Sequence, residues 1–248
     1  MSSENLVKEC AVSSLSDESG SSTAPEIHAA SEKNKEDADK LESYQQQNAR
    51  QTISEEDAFT VERYEQFARM LPTGPLRILD VGCNTGRGGV RLKQLRPEIE
   101  LVGLDAVLER VIALPPDVYT AGLHGLSTAI PCPDQYFDAI VAGEFLEHLY
   151  PSDVDGTLCE FQRALRIGGR LLLTTPNPNY LRNRTLRRTV YGVSHLTQHF
   201  PLILRRRLMM HGFAKVSIRG SGRVSRYLGT HIPFLPLYGS YLISADKI

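Results

Sequence analysis

The sequence predicts an α/β protein: a Rossmann-like, doubly wound sheet, mostly parallel, with an antiparallel C-terminal edge strand. Three observations predict it. Short apolar runs alternate with stretches of helical spacing from Arg77 to Ser244. The first of these runs ends in an acid and opens into a glycine-rich turn. The last two, Phe213–Ile218 and Tyr238–Ser244, follow one another with no helical stretch between them, so they should pair antiparallel.

Residues 1–48 are rich in Ser, Glu, Asp, Lys and Gln and have little to bury. Such a segment cannot offset the entropy of ordering its backbone, so it reads as a disordered, acidic and polar tail with at most transient helix near Glu36–Gln47. The domain then spans residues 49–248. Ser54-Glu55-Glu56-Asp57 has the form of a helix cap with acids in the first turn. Phe59, Val61, Tyr64, Phe67, Ala68 and Leu71 follow at roughly helical spacing, and Pro72-Thr73-Gly74-Pro75 stops them.

Arg77–Val81 is the first strand and Gly89–Leu95 continues from the glycine-rich turn as a helix. Glu100–Leu104, Asp117–Ala121 and Phe137–Ala142 are the second, third and fourth strands, and Val107–Ala113 is the helix between the second and third. Val154, Leu158, Phe161 and Leu165 mark one face of a helix that Gly168-Gly169 should end, and Arg170–Thr175 is the fifth strand. Pro201–Met210 is a last helix, closed by His211-Gly212.

Composition excludes more than it selects. The formal net charge is −1. Residues 1–45 hold ten acids and four bases, whereas residues 161–245 hold fourteen Lys and Arg and no acid. The basic third is either a solvated back face or a surface for an anionic group such as a phosphate or carboxylate. Cys10, Cys83, Cys132 and Cys159 form no CxxC pair and no Cys/His ligand pattern, so no metal is predicted. They read as reduced thiols, which with the absence of a secretory pattern at the N-terminus implies a cytoplasmic protein. No stretch approaches the roughly 18 apolar residues that span a bilayer.

The chemistry is written in two places. Ile78-Leu79-Asp80-Val81-Gly82-Cys83-Asn84-Thr85-Gly86 is a strand, an acid and a turn whose glycines let a ligand approach the backbone. Leu101-Val102-Gly103-Leu104-Asp105 ends a second strand in an acid nineteen residues after Gly86, placed to bind ribose hydroxyls. Together they point to an adenosine-containing cofactor. Gly82, Gly86, Gly88 and Gly89 do not fit G-x-G-x-x-G, and Asp80 would repel a pyrophosphate, which argues against NAD. An acid at Asp80 either suits a cationic ligand or orients the turn. S-adenosylmethionine, with its sulfonium and ammonium, is such a ligand.

These motifs resemble those of class I S-adenosylmethionine-dependent methyltransferases. The run from Asp80 to Gly86 is similar to the family's first motif, with Asn84 replacing its central glycine. Asp105 matches the ribose-binding acid. Ile130–Asp138, Glu144–Leu149, Leu165–Arg170 and Thr175-Pro176-Asn177 resemble the family's segments around its fourth and fifth strands. The resemblance implies a cofactor site built from Asp80, Gly82, Asn84, Gly86, Asp105, Ser127 and Glu144. Leu126 stands where many members carry an acid for the adenine amine, which leaves that contact to Ser127 or the backbone.

An oxygen acceptor also needs a base. His148, His195 and His199 are the candidates, since histidine titrates near neutrality. The insert at about 177–199 carries Arg184, Arg187 and Arg188, which could share one helix face, with Arg184 and Arg188 binding an anionic acceptor. A small-molecule, glycan or lipid-linked acceptor fits these features. A nucleic acid fits less well: the chain has no Trp, and the Asn/Asp-Pro-Pro-aromatic signature is replaced by Ala142-Gly143-Glu144-Phe145. An RNA or protein methyltransferase and a non-catalytic cofactor-binding protein remain as alternatives.

Overall fold

The computed structural model describes residues 24–49, 59–191 and 194–248, with side chains described from Lys35 in the first of these segments. Its centre is a seven-stranded sheet: β1 (Arg77–Val81), β2 (Glu100–Asp105), β3 (Tyr119–His124), β4 (Phe137–Gly143), β5 (Leu165–Pro176), β6 (Phe213–Ser221) and β7 (Ser240–Lys247). The order across the sheet is β3-β2-β1-β4-β5-β7-β6. The first five strands pair in parallel, and β7 is antiparallel to both of its neighbours. The expected antiparallel pairing at the C-terminal end is therefore present, with β7 slotted between β5 and β6 and β6 outermost.

Central strands are buried on both faces, as a parallel sheet requires. Ile78 and Leu79 are adjacent in sequence, point to opposite faces, and are both fully buried. Ile78, Leu101, Ala139, Val141 and Leu172 meet Tyr64 and Phe67 from α2 (Phe59–Met70) and Leu92 from α3 (Arg87–Leu95). Leu79, Val102, Leu104, Ile140 and Leu173 meet Val154, Leu158 and Phe161 from α5 (Asp153–Ala164) and Leu204 and Leu208 from α7 (Pro201–Met210). The remaining helices are short: α4 (Leu108–Ile112), α6 (Leu181–Thr185) and α8 (Ser225–Leu228).

Several sequence expectations change. The helix α5 ends at Ala164, and Gly168-Gly169 lies within the long strand β5, at an irregularity in its pairing with β4. One-turn α8 and a 3-10 turn, Leu235–Leu237, separate β6 from β7. Ser54-Glu55-Glu56-Asp57 lies outside the described residues, as does the 1–23 part of the expected tail. Residues Ala24–Ala49, expected to lack order, form helix α1. Its C-terminal half docks on the domain through the spacing Lys40, Leu41, Tyr44. Tyr44 is buried, its hydroxyl donates to Asp153 at 2.8 Å and accepts the Tyr150 N–H at 2.9 Å, and Lys40 Nζ lies 3.1 Å from the same carboxylate. Composition averaged over the segment hid this, because two apolar residues suffice when their polar partners lie more than a hundred positions away.

Candidate functional site

The chain turns back on itself between β1 and β4, the two strands at the switch of strand order, and open α/β sheets bind ligands at such a point beyond the strand ends. Here a cavity of about 600 Å³ opens, within the range of small-molecule sites. The loops after β1, β2 and β4 form its walls.

The turn after β1 needs a left-handed backbone in three places: φ is 66° at Gly82, 52° at Asn84 and 86° at Gly86. Asn tolerates this conformation better than most residues with a side chain, which accounts for its place there. A Cβ on Gly82 would meet the Phe145 ring at 2.7 Å. Gly82, Asn84, Asp105, Ser127 and Glu144 all line the cavity. Asp105 is 6% exposed and is fixed by two backbone donors, Asn84 N–H and Val107 N–H, each at 2.9 Å. Burial raises its carboxyl above the ordinary value, while those bonds and Arg110 oppose the rise. Ser127 shares a 2.7 Å hydrogen bond with Thr157.

Asp80 has a different place from the one expected. It is fully buried, does not line the cavity, and accepts the hydroxyls of Tyr64 and Tyr119, each at 2.5 Å. Burial pushes its carboxyl up to about 6, against the two tyrosine bonds that hold it down. Gly88 and Gly89 make room for the two rings: a Cβ at Gly88 would overlap Tyr64, and one at Gly89 would overlap the Tyr119 hydroxyl. Of the two readings of Asp80, the structure favours the one that orients the turn, through tyrosines the sequence did not single out. Gly86 likewise caps α3 and packs against Tyr119 and Leu114 outside the cavity lining.

The opposite end is built after β4. Glu144 sits at φ 52°, a conformation few residues with a Cβ adopt, held by its N–H donating to both Thr174 oxygens at 3.0 Å. Strain of this kind concentrates at functional sites. Its Oε1 is buried without a hydrogen bond, and Arg63 Nε lies 3.8 Å away. Glu147 is 1% exposed; Thr175 Oγ1 donates to its Oε2 at 3.1 Å, and its Oε1 has no partner. Burial and the nearby Glu144 hold the Glu147 carboxyl well above its ordinary value.

His148 and His195 line this end of the cavity, ring against ring, with centroids 4.9 Å apart. His148 Nδ1–H donates to the Ser194 carbonyl and His195 Nδ1–H to the Val190 carbonyl, both at 2.8 Å. Burial and His195 push the His148 imidazole down to about 4, so it is neutral at pH 7. His199 is elsewhere. It is buried, outside the cavity lining, and bonded to Thr197 Oγ1 at 3.0 Å. The Thr197 hydroxyl spends its one hydrogen on the Leu146 carbonyl, so His199 must donate, and burial lowers its pKa. It ties the segment beneath the site.

Arg184 and Arg188 are exposed and do not line the cavity. The helix that was to align them stops at Thr185, and Arg187 takes a positive φ of 50°. Tyr44 and Asn48 of α1 do reach the cavity, although nothing in their local pattern marks them.

Fold and site together define a class: an α/β domain with a cavity of small-molecule size beyond the ends of β1 and β2. Residues 79–173 match the methyltransferase domain family. The matched stretch holds the turn after β1, Asp105, Ser127 and Glu144, and it is similar to the class I S-adenosylmethionine-dependent methyltransferases. It is 32% identical over 134 residues to a fatty-acid O-methyltransferase of Mycolicibacterium smegmatis, covering 52% of this chain and 48% of that protein. It is 33% identical over 111 residues to a demethylmenaquinone methyltransferase of Deinococcus radiodurans, covering 43% and 45%. The chain thus spans about half the length of the curated relatives it matches. A solved S-adenosylmethionine-dependent methyltransferase of Archaeoglobus fulgidus shares the fold, with a TM-score of 0.59, 20% identity, and 76% of this chain and 93% of that one covered.

The cofactor of the superfamily is S-adenosylmethionine, and the cavity fits it. Gly82 leaves the turn open where a side chain would collide with Phe145. Asp105 offers a fixed carboxylate, and Glu144 offers a buried oxygen without a hydrogen bond. Among the described residues, no helix is long and apolar enough to cross a membrane.

Proposed function

We propose that this chain transfers a methyl group to an oxygen of a small-molecule, glycan or lipid-linked acceptor. S-adenosylmethionine supplies a methyl carbon already activated by a sulfonium, so the protein's task is orientation. In this reading Asp105 receives the ribose hydroxyls and the backbone of the Gly82–Asn84 turn approaches the amino-acid part. Glu144 meets the cofactor's cationic end. Leu126 and Ser127 border the adenine.

The observation that carries the acceptor assignment is the pair His148 and His195 at the far end of the same cavity. Their Nδ1 atoms are protonated because carbonyls can only accept, so Nε2 is the nitrogen of each ring that can exchange a proton, and burial keeps His148 neutral. A neutral imidazole of this kind can take a proton from an acceptor hydroxyl. Tyr44 and Asn48 narrow the cavity from the side of α1 and limit water. The two curated relatives are named for a fatty acid and a quinone, which supports an acceptor with a lipid-like part. Arg184 and Arg188, exposed and outside the cavity lining, are kept only as outer contacts for an anionic group.

Calorimetry with S-adenosylmethionine and its demethylated product tests the cofactor half, with Asp105→Ala alongside. Transfer of labelled methyl to a panel of hydroxylated lipids, glycans and RNA tests the acceptor half. Label on RNA alone would replace the oxygen-of-small-acceptor reading, and cofactor binding with no transfer to any class would favour a binding protein.

A further inference from the structure

We propose that Glu147, His148 and His195 form a site for one divalent first-row transition-metal ion at the acceptor end of the cavity. One ligand atom from each residue lies within 4.8 Å of the other two. Ligands held about 2.1 Å from an ion stand roughly 3 to 4 Å apart, so a closure of about an ångström brings all three onto one cation.

Two independent features prepare them for it. The first is the tautomer. Ser194 and Val190 carbonyls hold both Nδ1 protons, which fixes both rings and leaves Nε2 as the one nitrogen of each that can ligate. Metal-bound histidines are oriented in this way by a second-shell acceptor. The second is Glu147. Its side chain is 1% exposed, Thr175 satisfies one oxygen, and Oε1 is buried with no donor. Buried carboxylate oxygens are ordinarily satisfied, so an orphan beside two histidines marks a missing cation.

Two imidazoles and one carboxylate, with positions left open toward a cavity, are a donor set for Mn, Fe, Co or Zn in the divalent state. The cavity-lining rings leave those open positions to solvent or to an oxygen of the acceptor. In one respect the inference rests on the proposed function: if methyl is transferred to oxygen, an acceptor hydroxyl bound to the ion gives up its proton to solvent more readily. The two histidines then act through the ion and not as bases.

The test uses the full chain, freed of metal by a chelator and titrated with cobalt(II) chloride. Calorimetry and visible absorption are followed together. The expected result is one cobalt ion per chain, with d–d bands and no thiolate charge-transfer band. Glu147→Gln, which keeps an oxygen for Thr175, and His195→Ala, at a half-buried position, should each weaken binding at least about tenfold. His211→Ala, a histidine paired with Asp155 and Cys159 elsewhere, should leave it unchanged. Should Glu147→Gln fail to fold by circular dichroism, His195→Ala decides alone. No saturable binding, equal affinity in wild type and variants, or a thiolate band would overturn the site. S-adenosylmethionine binding is measured on the same metal-free samples. Cofactor binding without cobalt binding removes the metal site and leaves the proposed function standing; the reverse outcome removes the proposed function and leaves the site.

Discussion

The two ends of the cavity are built on different principles. The cofactor end is made by backbone: left-handed turn residues, glycines packed against rings, and one carboxylate gripped by two amides. Its buried charges are satisfied, down to Asp80 between two tyrosines. The acceptor end is made by side chains from segments far apart, and Glu147 Oε1 there, like Glu144 Oε1 where the two ends meet, is left without a donor. The difference separates a part that is finished before anything binds from one that a ligand completes. Changes at the first should cost folding, and changes at the second should cost chemistry.

The largest expected effect is at Gly88. A methyl there would overlap the Tyr64 ring, which cannot move without releasing Asp80. Gly88→Ala should lower the unfolding free energy by about 3 kcal/mol in urea titrations, as overpacking of a full core does. An unchanged midpoint would mean that the tyrosine pair is not a rigid part of this end.

Asp80 gives a prediction of nearly the same size. Its folded carboxyl is raised from 3.8 to about 6. A raised acid favours the folded state below its unfolded pKa, and this contribution is lost as pH rises through the folded value. Two units at 1.36 kcal/mol each predict a fall of about 3 kcal/mol between pH 4 and pH 7. Asp80→Asn should abolish that fall, which is read as the difference between the two proteins' denaturation curves across this window.

Asp105→Ala should weaken S-adenosylmethionine binding on the order of 100-fold, the worth of hydrogen bonds to a charged acceptor. Asp105→Asn, which keeps the shape, should lose less, and calorimetry compares them. His195→Ala should then sharpen the contrast. It should shift stability by under about 1 kcal/mol and leave cofactor affinity intact, because the residue is partly exposed and holds one carbonyl. Its loss should appear in methyl transfer and in cobalt binding. Smallest of all, Arg184→Ala and Arg188→Ala should stay within about 0.5 kcal/mol of wild-type stability, as exposed positions do.

The same contrast explains what could be read from the sequence. The cofactor end lies in two short runs, Asp80–Gly86 and Leu101–Asp105, where a strand, an acid and a turn follow in order. Gly82, Asn84 and Asp105 were legible there because local backbone geometry makes the site. Asp80 was legible as important and open as to its role, since its partners Tyr64 and Tyr119 lie 16 and 39 positions away. At the acceptor end, His148 and His195 could be singled out as histidines but not as a pair, and His199 looked equivalent until burial separated it. Glu147 passed as part of a family-like segment. Only the fold brings it beside His195 and shows its unpartnered oxygen. Arg184 and Arg188 failed for the opposite reason: a helix long enough to align them was assumed, and it stops at Thr185.

Helix α1 has a consequence for turnover. Tyr44 and Asn48 wall the cavity from outside the sheet, on a segment held by Asp153, Tyr150 and the Arg110 bond to the Asn48 carbonyl. Traffic through the mouth is therefore governed by a handful of polar bonds and one aromatic anchor. Tyr44 belongs to the same buried cluster as Leu79 and Leu104, so the residence time of a spent nucleoside and thermal stability are coupled through one ring.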